Sequence, residues 1–321
     1  MAYIGLLDCN NFFVSCERLF RPDLRNRPTV VLSSNDGCVV ARSEEVKALG
    51  IPMGVPYFKA KAELEQHGVA VFSGNLTLYR DISARVMKLL RETVGNVEQY
   101  SIDEAFFYLP ESSGVLEEVQ TLKHLIEQQI GVPVAIGVGK TKTIAKYACD
   151  LKKRQEGVAI LVGESWQQEA KQIPMTVVWG VGARTSEKLR QHDIKTVADF
   201  LAADPARVAQ LFGVYGERLR AELNEIPAHH HALKETKQQS IMSTRSFKAI
   251  ISKRSELEVA VAYHVEQVGR ELRNKDLHTK RIRVLLETSR HGDWMLQEAP
   301  RSEPASPNCG HAGMLLKTAC M

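Results

Sequence analysis

Apolar spacing divides the chain near residue 165. Before that point, short apolar runs alternate with helical patterns. Residues 2–7 form a run that stops at Asp8, which predicts a buried strand. Residues 12–19 suggest a first helix, and residues 29–32 are a β-branched strand bounded by Pro28 and SSND. CVVARSEEVKALGI predicts a strand and then a helix ending at Gly50, and residues 68–73 predict another short strand. Apolar spacing near 3.6 over residues 78–94 predicts a helix, and residues 97–109 a hairpin region. A helix over 115–130, a strand in VPVAIGVG and a helix over 141–153 complete an α+β or α/β body.

After residue 165 the pattern changes. Residues 165–231 carry short helical patterns with little strand signal, and HHHALKETKQQS is polar and linker-like. MSTRSFKA then suggests a strand, 256–274 a helix and KRIRVLLETS a strand. From Arg290 the chain is rich in Pro, Ser and Gly without a period, which predicts a loop or disordered tail.

Composition narrows the classes. The chain has 321 residues, a net charge of +4 and 44% hydrophobic residues, so several small domains and a polyanionic partner are both permitted. Its six cysteines form no close CxxC pair, which argues against a zinc ribbon or disulfide scaffold and favours bystander thiols in a reducing compartment. MAYIGLLDCNNFF has no basic leader region, and no uncharged run is long enough to span a bilayer, so the cytoplasm is the expected location.

The candidate chemistry begins with acids at strand ends. A buried carboxylate must be paired, protonated or metal-bound. Asp8 ends one apolar run, and YSIDEAFFYL places Asp103 and Glu104 in another. If the two strands are neighbours, Asp8 and Asp103 meet at one edge and need a cation between them, for which Mg²⁺ suits hard oxygen ligands. Two such ions would activate a hydroxyl and stabilise a leaving oxygen. Adjacent strand residues face opposite ways, so Asp103 and Glu104 both reach one site only near a turn or a strongly twisted strand start, and Asp8 and Asp103 are the better-placed pair. Equally, Asp8 reads as the cap of the following helix and the acidic pair as a hairpin turn.

GVGKTKTIAK fails as a P-loop, because Val134 stands where the pattern needs glycine. Lys142, Lys146 and Lys153 instead share one side of a helix, facing either an anion or solvent. Lys47 reads the same two ways. NNFF follows Asp8, and amides at that helix start are placed to hold a metal-bridged triphosphate. Of Phe12 and Phe13 beside it, one reads as core, and a flat ring under a sugar would exclude a 2′-hydroxyl by volume.

Two further signals concern polyanions. VVWGVGARTSEKL carries Gly180 and Gly182 between helical patterns, the spacing of a helix–hairpin–helix that offers amides to a DNA phosphate, or of an ordinary helical hairpin. Residues 240–290 hold eleven Lys or Arg against six Asp or Glu. Arg245, Lys248, Lys280, Arg281 and Arg283 fall on predicted strands, where a basic sheet face suits a duplex backbone or simply solvent.

The stretches DCNNFFVSCE, SSNDGCVVARSEEVKALGIPMGVPYF, VFSGNLTLYRDIS, YSIDEAF, GVGKTKTIAKYACDLKK and VWGVGARTSEKL together resemble the Y-family translesion DNA polymerases. The similarity is greatest to their UmuC-like branch, which supplies the catalytic subunit of bacterial DNA polymerase V. It covers about residues 1–288. The resemblance implies an α+β, multidomain right-hand polymerase. Residues 1–20 and 75–165 would be the palm and 21–74 the small fingers. Residues 166–235 would be a helical thumb, with the helix–hairpin–helix at about 178–190. Residues 236–289 would be a partial little finger and 290–321 an atypical tail.

It further implies two Mg²⁺ ions held by Asp8, Asp103 and Glu104, the last two at a bend. Asn11, Phe12, Phe13, Lys47 and Lys153 would hold the nucleotide, Phe13 discriminating the sugar. Gly180, Gly182, Arg245, Lys248, Arg281 and Arg283 would meet DNA. Glu44 stands where many members outside this branch carry a triphosphate-binding tyrosine. The implied reaction is templated transfer from dNTP to a primer 3′-hydroxyl during error-prone synthesis in the SOS response. Primer–template DNA, dNTP, a UmuD-like accessory dimer and a recombinase filament are the implied partners, the usual clamp-contact region being absent. The expected shortening of the little finger predicts an exposed sheet edge and weaker DNA affinity. The rival readings are a weakly active or inactive DNA-binding remnant and a template-independent Mg²⁺ nucleotidyl enzyme such as a cyclase.

Overall fold

The computed structural model describes residues 2–153, 157–229, 239–247, 251, 253–287 and 313–320. The chain divides into two compact units, Met1–Leu233 and Lys234–Met321.

The first unit opens with β1 (Ala2–Cys9) and α1 (Phe12–Phe20). A small sheet follows, of β2 (Thr29–Leu32), β3 (Val39–Arg42) and, after α2 (Glu44–Ala48) and α3 (Tyr57–Gln66), β4 (Ala70–Phe72). It is ordered β3-β2-β4 and encloses its own core of Val30, Leu32, Val39, Val46, Ile51 and Leu64. The chain then returns through α4 (Leu76–Val94), β5 (Val97–Gln99), β6 (Glu104–Pro110), α5 (Val115–Ile130), β7 (Val134–Gly139), α6 (Lys142–Lys153) and β8 (Val158–Leu161).

Those strands form the main sheet, ordered β5-β6-β1-β7-β8. Strand β1 lies antiparallel between β6 and β7, which buries it on both edges. Side chains alternate between two helical layers. Leu7, Cys9, Ala105 and Phe107 pack in the core that holds α4 and α5, whereas Ile4, Leu6 and Phe106 pack with Ala145 and Cys149 of α6. Gly137 permits the close approach of α6, because a Cβ there would lie 2.0 Å from the Cys149 nitrogen.

A helical region completes the unit: α7 (Glu164–Ala170), α8 (Ala183–Arg190), α9 (Val197–Ala202) and α10 (Pro205–Leu223), the last kinked at Gly213. Buried Glu222 of α10 ties this region to α6, its carboxylate accepting from the Thr143 amide at 3.0 Å.

The second unit contains β9 (Ser240–Ser246), α11 (Arg254–Asn274), β10 (Thr279–Glu287) and β11 (Gly313–Cys320). Its sheet is antiparallel and ordered β10-β11-β9. The sequence predicts a structureless tail after 290, yet residues 313–320 form the middle strand. GMLLKTAC is a short apolar run amid Pro, Ser and Gly, so its pairing comes from two distant strands rather than from its own period. Helix α11 packs on β9 through Ile241 and Val268. Among the described residues, Ile282, Val284, Leu285 and Leu286 of β10 are exposed. The HHHALKETKQQS linker falls almost wholly outside the described residues, as does Lys248.

Candidate functional site

Register decides which acids meet. Asp8, the seventh residue of β1, is the direct antiparallel partner of Glu104, the first residue of β6. Opposed residues on neighbouring strands share a face, so both side chains turn toward α6, beside Leu6 and Phe106. Glu104, which alternation alone makes a weaker partner for Asp8 than Asp103, is therefore the acid that shares its face. Alternation holds along each strand, but the pairing register is not contained in either strand alone.

Lys146 of α6 completes this group. Its ammonium lies 2.5 Å from Glu104 Oε1, 3.5 Å from Asp8 Oδ2 and 3.6 Å from Asp150 Oδ1. Burial alone would lower the Lys146 pKa, but the Glu104 hydrogen bond and the charges of Asp150 and Asp8 outweigh it and hold the ammonium above the usual lysine range. The lysine row of α6 therefore faces acids. Lys142 is buried against Glu98 at 2.7 Å, with its ammonium over the Phe106 ring. The Lys153 side chain lies outside the described residues.

Asp103 occupies a bend just before β6, as the family resemblance implied. Its main-chain oxygen accepts from the Cys9 amide at 2.9 Å, and its carboxylate accepts from the Ser101 hydroxyl at 2.6 Å. The Ser101 oxygen also receives the Glu104 amide at 3.1 Å, which fixes the bend. Asp103 lines a pocket of about 230 Å³ with Cys9, Asn11, Phe12, Phe13, Arg42 and Lys47. Register thus brings Asp8 and Glu104 together, while Asp103 stands at the bend before β6 and lines the pocket; among the described residues no group of three His, Cys, Asp or Glu is placed to hold a metal ion.

The start of α1 forms the pocket's other wall. Asn11 precedes the helix in the left-handed region, with φ 49°, a conformation that asparagine tolerates. Phe12 is buried in the main core, so it is the core ring of the pair. Phe13 is half-buried and stacks on Tyr79 at 4.3 Å. Tyr79 in turn donates to Glu17 at 2.7 Å. Sequence reasoning missed this backing, because Tyr79 lies 66 residues from Phe13 and only α1–α4 packing joins them. Burial pushes the Cys16 thiol up to about 12, and Cys9 and Cys149 are likewise buried thiols outside any disulfide.

Lys47 lies on the small-sheet side of the same pocket. It pairs with Glu44 at 2.5 Å, and Glu44 also accepts from the Asn11 amide at 3.1 Å. Arg18 of α1 fixes the segment, bonding Glu45 at 3.0 Å.

The glycine hairpin is preceded by a single 3₁₀ turn, Met175–Val177, rather than a full helix. Gly180 has φ 86° and Gly182 caps α8. Val178 and Val181 are buried beneath it. In the second unit, Arg281 and Arg283 are exposed on alternate residues of β10, and Arg283 is the register partner of Lys317. Arg245 pairs across β11 with Leu286, which puts it on the opposite face. It is close enough to α11 to help depress the His264 pKa. Arg281 and Arg283 thus share one face of the sheet, and Arg245 stands on the other.

Comparison with known proteins accords with this geometry. Residues 7–150 match the model of the impB/mucB/samB family, and residues 238–320 match its C-terminal domain. The second match runs through β11, so the expectation that resemblance ends near residue 288 is corrected. The chain is 36% identical to the protein ImpB of Salmonella typhimurium over 299 residues, covering 89% of this chain and 69% of that one. It is 37% identical to UmuC of Salmonella typhimurium strain LT2 over 293 residues, with the same coverage. In fold it is similar to the solved Y-family DNA polymerase chimera Dbh-Dpo4(243-245)-Dbh. The TM-score is 0.78 at 16% identity, over 99% of this chain and 98% of the other. The chain belongs to the impB/mucB/samB family of Y-family, UmuC-like translesion polymerases. No helix among the described residues is long and apolar enough to cross a membrane.

Proposed function

We propose that the chain transfers a nucleotide from dNTP to a primer 3′-hydroxyl on a DNA template, past damage and as part of SOS repair. The observation that carries this reading is the acid-lined end of the main sheet. There Asp8 and Glu104 share one face, and Asp103 lines the adjoining pocket with Asn11, Phe13 and Lys47.

The donor set fits Mg²⁺. Asp8 and Glu104 are hard oxygen ligands that already concentrate enough negative charge to draw in the Lys146 ammonium. Asp8, Asp103 and Glu104 are the residues that would hold two such ions. Bound there, the ions would supply Lewis acidity and an activated oxygen nucleophile. The protein's own groups do the rest. Lys47 and the Asn11–Phe13 segment receive phosphate oxygens, with Lys153 assigned to the same task. Phe13, backed by Tyr79, excludes a 2′-hydroxyl by volume. The glycine hairpin and Arg281, Arg283, Arg245 and Lys248 supply backbone contacts, which carry affinity rather than sequence. By domain, residues 1–20 and 75–165 act as palm, 21–74 as fingers, 166–235 as thumb and 236 onward as little finger.

Cytoplasmic location, an accessory dimer and a recombinase filament belong to the same proposal. Templated extension of a labelled primer at low and high salt tests it. Addition following the template, fading as salt rises, is expected. Template-independent products from nucleotide alone would favour a cyclase-like enzyme, and no product would favour a DNA-binding remnant.

A further inference from the structure

The acid at position 44 is a poor neighbour for a triphosphate, yet the structure gives it two specific contacts. One oxygen of Glu44, Oε1, receives both the Lys47 ammonium at 2.5 Å and the Asn11 side-chain amide at 3.1 Å. These donors come from opposite walls of the pocket, α2 and the start of α1, and both line it. They are also two of the groups that the proposed function assigns to the nucleotide. A single anionic oxygen thus already lies where donors from two segments converge. The Lys47 and Glu44 side chains are 33% and 50% exposed, so solvent reaches the pair and it can open. Neither residue is needed to fill a core, since Val46 is the buried residue of α2.

We propose that Glu44 is an internal stand-in for a nucleotide phosphate. In the absence of dNTP it latches Lys47 to Asn11 across the pocket mouth. Incoming phosphate displaces the carboxylate and takes the same two donors. Glu44 therefore sets nucleotide affinity by competition, and it keeps Lys47 from pairing with other anions between turnovers. This inference rests on the dNTP-binding reading above and adds a specificity-determining residue to it.

Glu44→Gln keeps the shape and the Asn11 contact but removes the competing charge. The KM for dNTP in templated extension should fall about three- to fivefold, the range of a partly exposed ion pair, with kcat little changed. Fluorescent dNTP titrated against the full chain with Mg²⁺, without primer, should show the same gain. Placing the substitution in a Lys47→Gln background should abolish the gain, because the lysine to be released is gone. An unchanged or raised KM in Glu44→Gln would overturn the latch and make Glu44 a support that positions Lys47. Templated extension by the wild type with no change in Glu44→Gln would defeat the latch alone. Nucleotide binding that tightens in Glu44→Gln without any templated extension would defeat the polymerase reading and leave the latch standing.

Discussion

The acidic end of the main sheet and the sheet of the second unit handle charge in opposite ways. Asp8 is fully buried and Glu104 and Lys146 nearly so, each locked by register or by the close fit of α6 on Gly137. Arg281 and Arg283 stand on an exposed strand beside uncovered Ile282 and Val284, over a core whose buried residues are Ile241 and Val268. Chemistry demands groups fixed to a fraction of an ångström. Holding a uniform phosphate backbone demands charge, and charge works from a mobile or shallow surface. Under the proposed function, this division would account for acids on the most enclosed strand and arginines on one of the least covered.

Removing the cation from the enclosed site should have the largest effect on stability. Lys146→Met leaves Asp8 and Glu104 as adjacent like charges, and should lower the stability of the first unit by roughly 3 kcal/mol, read by urea unfolding without divalent ions. Lys88→Met, which removes an exposed partner of Glu92, should be indistinguishable from wild type. Added Mg²⁺ should restore part of the Lys146→Met loss, because bound ligand stabilises the folded state. A loss unaffected by Mg²⁺ would argue that the acids do not gather a metal.

Hydrogen exchange sharpens the comparison. Amides of β1 and β7 should exchange only through opening of the whole first unit, whereas those of β10 should exchange on the order of a hundredfold faster. Equal protection would mean that the exposed apolar residues of β10 understate how firmly that sheet is held.

The smallest effect is on pH. Burial first, and then the charge of Arg245, lower the pKa of His264 from its ordinary 6.5. Below that value the unfolded chain binds a proton that the folded one resists. Stability of the second unit should thus be fully present above about pH 6.5 and decline as the pH falls. His264→Gln, which keeps a partner for Ser243, should flatten this decline.

Much of this was legible in the sequence. The run that stops at Asp8, the 3.6-residue spacing of α4 and the glycine-ended β7 each declare themselves locally. Non-local facts did not. Glu104 faces Asp8 because β1 and β6 pair in one register, and Arg245 departs from Arg281 because β11 lies between their strands. Lys146 stood in a visible lysine row, but only the packing of α6 shows that the row meets acids. Tyr79 behind Phe13 and the two donors on Glu44 likewise belong to helix packing, which no single stretch records.

In the proposed function, Asp8, Asp103 and Glu104 work as one nucleotidyl-transfer centre. The most direct measurement is templated primer extension by wild type and Asp103→Ala in parallel, with DNA binding followed by fluorescence anisotropy on the same samples. Extension should fall at least a thousandfold while the affinity for primer–template stays within about twofold, since phosphate contacts lie elsewhere. Undiminished nucleotide addition by Asp103→Ala would contradict the account.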